Sequence, residues 1–279
     1  MIHISFPPLL ASALLAAVAA AIAGGLMGSY IVAKRIVFLS GSISHAVLGG
    51  MGFFLWLQRT FSLQFASPFL GALIAAIISA LILGSIRINY KEREDTLIAS
   101  LWSTGMAMGV IFISLTPGYN VELTNFLFGN ILWATSQDVL TLLGFDVFLL
   151  TITLIYHKKF LAICFDEEQA LIQGLSVQKI YALLLCLVAV SIVLLIQVVG
   201  AVLVITLLAI PPAIGALFSH RLSRIMFLAV IIGICISFSG LILAYEVNWP
   251  PGATIALIAA FLYFCSLVLK NKYKLASIS

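Results

Sequence analysis

His45 stands inside SGSISHAVLGG (Ser40 to Gly50), and the surrounding run from Ile36 to Gln58 contains no formally charged side chain. A neutral imidazole is a good ligand for zinc and an acceptable one for manganese or ferrous iron. An ionisable ring in so apolar a run is a functional candidate, because burying it costs free energy. At 100° per residue, Gly41, Ser42, His45, Gly49 and Gly52 share one face of a helix, with Ile43, Val47 and Leu57 well away from it. A small polar face of this kind either lines a narrow polar path or lets another helix approach closely. The alternative to a ligand is a neutral His45 hydrogen-bonded between packed helices.

Asp146 is the second candidate, an acid placed well inside another apolar run, where it should face a helix bundle or a wet cavity. Glu122, Asp138 and Glu246 fall in or beside loops, where a solvated or docking role is expected. No HExxH pattern occurs and His45 has no acidic neighbour, which argues against an intramembrane metalloprotease. No lysine follows a glycine, so a phosphate-cradling GxxxxGK[ST] loop is excluded, and any use of ATP requires another chain. Cys164, Cys186, Cys235 and Cys265 are widely spaced, without CxxC pairs, and suggest neither a disulfide framework nor a zinc knuckle.

The elements that must position these residues follow from composition. The chain has 279 residues, 63% of them hydrophobic and only 9% charged, with a mean hydropathy of +1.22. A soluble domain carries roughly 25% charged residues. Uncharged stretches long enough to cross about 30 Å of hydrocarbon as helices recur throughout, and the short alternating segments of a β-barrel do not. The expected fold is therefore all-α, a polytopic membrane bundle of about eight or nine helices, forming a single transmembrane domain over residues 1–279. The stretch from Pro7 to Ala33 has no basic start and reads as a retained span rather than a signal peptide.

Basic residues favour the cytoplasmic side. Lys34-Arg35, Arg87 to Asp95, His157-Lys158-Lys159 with Lys179, His220 to Arg224, and Lys270 to Lys274 are spaced so that two crossings fit between consecutive clusters. With the first helix this predicts nine crossings, the N-terminus outside and the C-terminus inside, and all but Arg59 of the 14 Lys and Arg in the cytoplasm. The crossing from Val199 to Phe218 contains Pro211-Pro212 and is expected to be short or broken. Trp56, Trp133 and Trp249 fall near outer ends and Trp102 near an inner one, as an interfacial belt requires. The pairs Gly24xxxGly28 and Gly105xxxGly109 suit close helix packing.

Two inside segments suit contact with a partner. In FDEEQALIQGLS (Phe165 to Ser176), Asp166 is a suitable N-cap with Gln169 three residues on, and Gly174 can end a short helix. In PPAIGALFSHRLSRIM (Pro211 to Met226), a proline pair and small residues lead into a basic patch, either a docking element or an ordinary positively charged span end.

Four motifs in order carry a family resemblance: Ile31 to Gly50, Phe126 to Val139, Phe165 to Leu185 followed by Gln197 to Ile225, and Pro250 to Lys270. Together they resemble the ABC-3 family, the permease subunits of zinc, manganese and iron ABC importers. The resemblance implies a fold like the vitamin B12 and siderophore permeases and a homodimer in the bacterial cytoplasmic membrane. It also implies partnership with two copies of a cytoplasmic ATPase and with an extracytoplasmic metal-binding protein. By it, the chain catalyses no covalent chemistry, holds no permanent cofactor, and passes a divalent cation, zinc first, by alternating access. The ATPase-coupling residues would be Pro211, Pro212, Ala213, Gly215, His220, Arg221 and Arg224, and His45 would line the metal path. Family members commonly carry Asp four residues before this histidine and a proline soon after it; here Gly41 and Gly49 stand instead. Losing that acid removes a charge that would offset the cation's desolvation. The competing reading is a secondary transporter driven by an ion gradient, which would need intramembrane acids as relays, and Asp146 is the one such acid.

Overall fold

The structure is a computed structural model and describes residues 8–63, 65–90, 94–118, 126, 129 and 131–276. Its long helices are α1 (Pro8–Ala33), α2 (Val37–Phe61), α3 (Pro68–Tyr90), α4 (Glu94–Leu115), α5 (Ser136–Phe165), α7 (Val177–Val199), α8 (Ala201–Phe218), α9 (Leu222–Val247) and α10 (Pro251–Ala276). A short α6 (Glu167–Ile172) precedes α7, and a 3₁₀ turn (Ile131–Trp133) precedes α5. Among the described residues nine helices are long and apolar enough to cross a membrane, matching the number of crossings read from the charge spacing. Glu122 and most of the predicted outer loop lie outside the described residues, as do the side chains of the whole Arg87 to Asp95 cluster and those of residues 271–276.

Large apolar side chains stay exposed along the helices, Leu154 at 71% and Phe261 at 68% among them. In water such surface would be costly; for a chain of this hydropathy the hydrocarbon of a bilayer covers it.

The chain divides into two compact units. One comprises Met1–Val32, Phe128–Thr151 and Val198–Ser279. Within it α8 packs against α9 and α10. The predicted glycine face of α1 seats on α8: a Cβ on Gly24 would lie 2.9 Å from Leu207 Cβ, and one on Gly28 would collide with the Leu208 carbonyl oxygen. Pro211 and Pro212 cannot donate to those same carbonyls, at Leu207 and Leu208, four residues back. Both prolines are buried, yet α8 runs unbroken for 18 residues. The expected crossing is thus short and continuous rather than broken, with close packing of α1 against the backbone where the ladder lacks its donors. Gly200, at φ 82°, makes the turn between α7 and α8 that any larger residue would strain.

The other unit comprises Ala33–Leu127 and Ile152–Gln197. Its centre is α2, which packs on both α3 and α4, while α3 and α4 touch each other only slightly. Gly50 and Gly71 meet so closely that a Cβ on either would strike the other's carbonyl oxygen.

α5 has 30 residues, about 45 Å, against a hydrocarbon core of about 30 Å. The helix continues through the basic cluster His157-Lys158-Lys159 to Phe165. α6 then forms as the sequence predicts. The Asp166 carboxylate accepts from the Gln169 backbone N–H at 2.9 Å. Gly174, at φ 78°, closes the C-terminus, with Gly174 N–H donating to the Leu171 carbonyl at 2.9 Å and Leu175 N–H to the Ala170 carbonyl at 3.0 Å.

Candidate functional site

The face of α2 that carries His45 is a helix-packing seam. Ser42, His45, Gly49 and Gly52 meet Ile98, Trp102, Gly105 and Gly109 of α4 in that order, so the two helices run parallel. The Ser42 hydroxyl donates to the Ile98 carbonyl at 3.1 Å. A Cβ on Gly49 would lie 2.9 Å from the Gly105 carbonyl oxygen, and one on Gly52 would lie 2.8 Å from that of Gly109. Of the two readings left open by the sequence, the close approach of another helix describes Gly49 and Gly52. In hydrocarbon such backbone proximity substitutes for a hydrophobic driving force, through dispersion contacts.

His45 sits in this seam with 8% of its surface exposed. Its Nδ1 is buried without a hydrogen-bond partner in the protein. The imidazole stacks on the Trp102 indole, with ring centroids 4.5 Å apart and planes 23° from parallel. The same indole fills the space beside Gly41, where a Cβ would lie 3.1 Å from Trp102 Cζ3. Trp102 is thus no plain member of an interfacial belt. Its spacing from Gly105 and Gly109 places it on the packing face of α4, the one signal in the sequence that could have paired it with His45.

An apolar groove of about 590 Å³ opens beside the seam, floored by Ala46, Gly49 and Gly50 and walled by α3 and α4. Among the residues that line it, only Ser79 and Thr104 bring polar side chains, so it offers a cation no ligand set.

Asp146 belongs to the other unit. It is 6% exposed, on the α5 face that also buries Leu142 and Leu149, and its Oδ2 has no hydrogen-bond partner in the protein. Its burial is what a place inside an apolar span requires. Asp138 is occupied structurally. Its carboxylate accepts from the Thr135 backbone N–H at 2.9 Å and the Thr135 hydroxyl at 2.7 Å. Its own N–H donates to the Thr135 hydroxyl oxygen at 3.2 Å, a reciprocal cap on α5. Glu246 is exposed near the end of α9. Among the described residues no three His, Cys, Asp or Glu side chains gather as a metal site.

The predicted coupling residues lie close together along the chain, with Pro211, Pro212 and Gly215 buried and Ala213 half-buried. Pro211, Pro212, Ala213 and Gly215 lie in the last turns of α8, His220 and Arg221 in the turn that follows, and Arg224 in the first turn of α9. His220, Arg221 and Arg224 are exposed. Gly215 lets the two helix ends converge, since a Cβ there would lie 3.1 Å from the Ile225 carbonyl oxygen.

Near α6, the Lys34 ammonium is bound to the Glu167 carboxylate and the Ile163 carbonyl. It also lies 5.8 Å from the centre of the Tyr181 ring.

The sequence profile of the ABC 3 transport family matches residues 7–270. The chain belongs to the ABC 3 transport family. It is a permease subunit of a metal ABC transporter, a multi-pass membrane protein and not an enzyme family member. A Chlamydia pneumoniae protein described as a "probable metal transport system membrane protein" is 50% identical over 274 residues, 98% of this chain and 93% of that protein. The manganese transport system membrane protein MntC of Halalkalibacterium halodurans is 32% identical over 254 residues, covering 91% and 85%. Among solved structures, PsaBC from Streptococcus pneumoniae in complex with Fab matches with a TM-score of 0.81 at 30% identity, over 94% of this chain and 91% of the matched one. An inward-facing structure described as a metal-chelate type ABC transporter shares the fold, with a TM-score of 0.71 at 15% identity over 92% and 85%.

Proposed function

We propose that this permease imports a divalent first-row transition metal, with manganese as the leading cargo. The observation that carries the cargo is the 32% identity to a protein named as a manganese permease, sustained over 91% of the chain. Zinc is the second reading, supported by chemistry: His45 has no acid on its own helix face, and a lone imidazole suits zinc better than manganese.

The permease works as a homodimer in the bacterial cytoplasmic membrane, N-terminus outside and C-terminus inside. An extracytoplasmic binding protein delivers the metal, and ATPase subunits drive alternating access through Pro211 to Arg224. His45 lines the path as a weak, transient ligand, which conduction tolerates because the ion must also leave. Asp146, buried in the other unit with an unpartnered oxygen, is a separate candidate ligand.

The test is uptake by the complete complex in proteoliposomes, with manganese and zinc compared under ATP and under a proton gradient alone. ATP-dependent manganese uptake that falls in His45→Ala is expected. Uptake of zinc in preference to manganese would replace the cargo, and uptake by this chain alone on a proton gradient would overturn the ATP-driven reading. Wild-type uptake by His45→Ala would remove His45 from the path.

A further inference from the structure

A metal-ligating imidazole is usually held in plane by a hydrogen bond from its second nitrogen to a carboxylate, carbonyl or water. His45 has no such protein partner at Nδ1. The Ser42 hydroxyl, three residues before it on the same helix face, donates instead to the Ile98 carbonyl. What constrains the ring is Trp102, stacked 4.5 Å away at 23°.

Stacking covers a π-face and leaves the ring edge, where both nitrogens lie, free of the indole. It therefore fixes the imidazole plane without consuming a lone pair. The indole is itself held in register. One turn beyond it, a Cβ on Gly105 would lie 2.6 Å from Ala46 Cα, and two turns beyond, one on Gly109 would lie 2.6 Å from Leu48 Cγ. Such contacts prevent α4 from sliding along α2. Gly41 completes the arrangement by presenting no side chain where the indole packs.

We propose that Trp102 is the positioning residue for His45: stacking of its indole orients the imidazole for passing cations, in place of the missing hydrogen bond. This rests on the reading that His45 lines the metal path. It assigns Trp102 a role through the imidazole and not as a ligand.

The experiment measures initial rates of manganese uptake by the reconstituted complex, with metal-loaded binding protein as the varied substrate. Trp102→Phe keeps an aromatic face and should retain kcat within about twofold. Trp102→Leu keeps apolar bulk but cannot stack, and should lower kcat about tenfold while KM for the binding protein stays within about twofold, since misorientation acts on the transfer step. Trp102→Met replaces the Leu variant if the latter does not assemble, and thermal unfolding of each purified complex reports folding. A purely structural role would instead lower unfolding temperature and affect Phe and Leu variants alike. The proposal is overturned if Trp102→Leu turns over like wild type while His45→Ala is impaired, an outcome that leaves the path role of His45 standing. It is also overturned if Phe and Leu variants lose activity equally. Wild-type rates in both Trp102→Leu and His45→Ala would overturn the positioning role and the path reading together.

Discussion

Gly49 and Gly105 bring the backbones of α2 and α4 together, so that a Cβ on Gly49 would lie 2.9 Å from the Gly105 carbonyl oxygen. Main-chain atoms cannot swing aside as a flexible side chain does, and added volume must separate the helices. Gly105→Ala should therefore destabilise the protein by about 1–3 kcal/mol. Gly144 has nothing within 4 Å of its missing Cβ, so Gly144→Ala should be neutral or stabilising by up to about 1 kcal/mol. Thermal unfolding in detergent checks the pair; equal effects would contradict the packing seam.

Gly41→Asp tests whether the space beside His45 is available for a carboxylate. The new Cβ would meet Trp102 Cζ3 at 3.1 Å, so the indole must yield. The single variant should lose unfolding temperature and uptake. Combined with Trp102→Leu it should regain stability and bind manganese more tightly, because acid and imidazole would then share one helix face. Metal retention by the purified protein measures this, and tight binding by the Asp variant with Trp102 intact would show that the indole does not block the position.

Lys34 is a second anchor. Its side chain is 6% exposed while that of Glu167 is 39% exposed, so the pair is only half buried and its contribution is moderate. Lys34→Met removes the charge, leaves the Ile163 carbonyl without that donor, and should cost about 1–2 kcal/mol. Limited proteolysis should then cleave near α6 faster than in wild type. In a double-mutant cycle with Glu167→Gln, the two losses should be less than additive; full additivity would show that the pair does not act as a unit.

The exposed turn after α8 should couple to the ATPase by charge and shape. Arg221→Glu with Arg224→Glu should reduce ATP-driven uptake about tenfold or more, as desolvated charge pairs at interfaces do when reversed. The unfolding temperature should stay near wild type, because both side chains are exposed. Undiminished coupling would place the ATPase contact elsewhere.

Topology is open to direct labelling. After replacement of the four cysteines, a membrane-impermeant maleimide should modify Glu246→Cys in intact cells and Gln173→Cys only after permeabilisation. Both positions are exposed. The reverse pattern would invert the proposed orientation.

The sequence by itself determined how many helices are long and apolar enough to cross and how α6 is capped. These depend on local quantities: the length of uncharged runs, the spacing of Lys and Arg, and residues such as Asp166 and Gly174 acting on their immediate neighbours. It also singled out the face holding Gly41, Ser42, His45, Gly49 and Gly52, because helical periodicity needs no tertiary information. It did not determine what that face meets. A strip of glycine and serine is equally suited to a polar path and to a second backbone, and only the position of α4 decided for the backbone at Gly49 and Gly52. Likewise Pro211-Pro212 read locally as a break, whereas packing of α1 through Gly24 and Gly28 accompanies a continuous α8. Trp102 was the largest gap: its aromatic character and place near a helix end suggested an interface, and its partnership with His45 exists only because two helices distant in sequence share a register. Contacts of that kind depend on the relative placement of whole helices, which no run of neighbouring residues encodes.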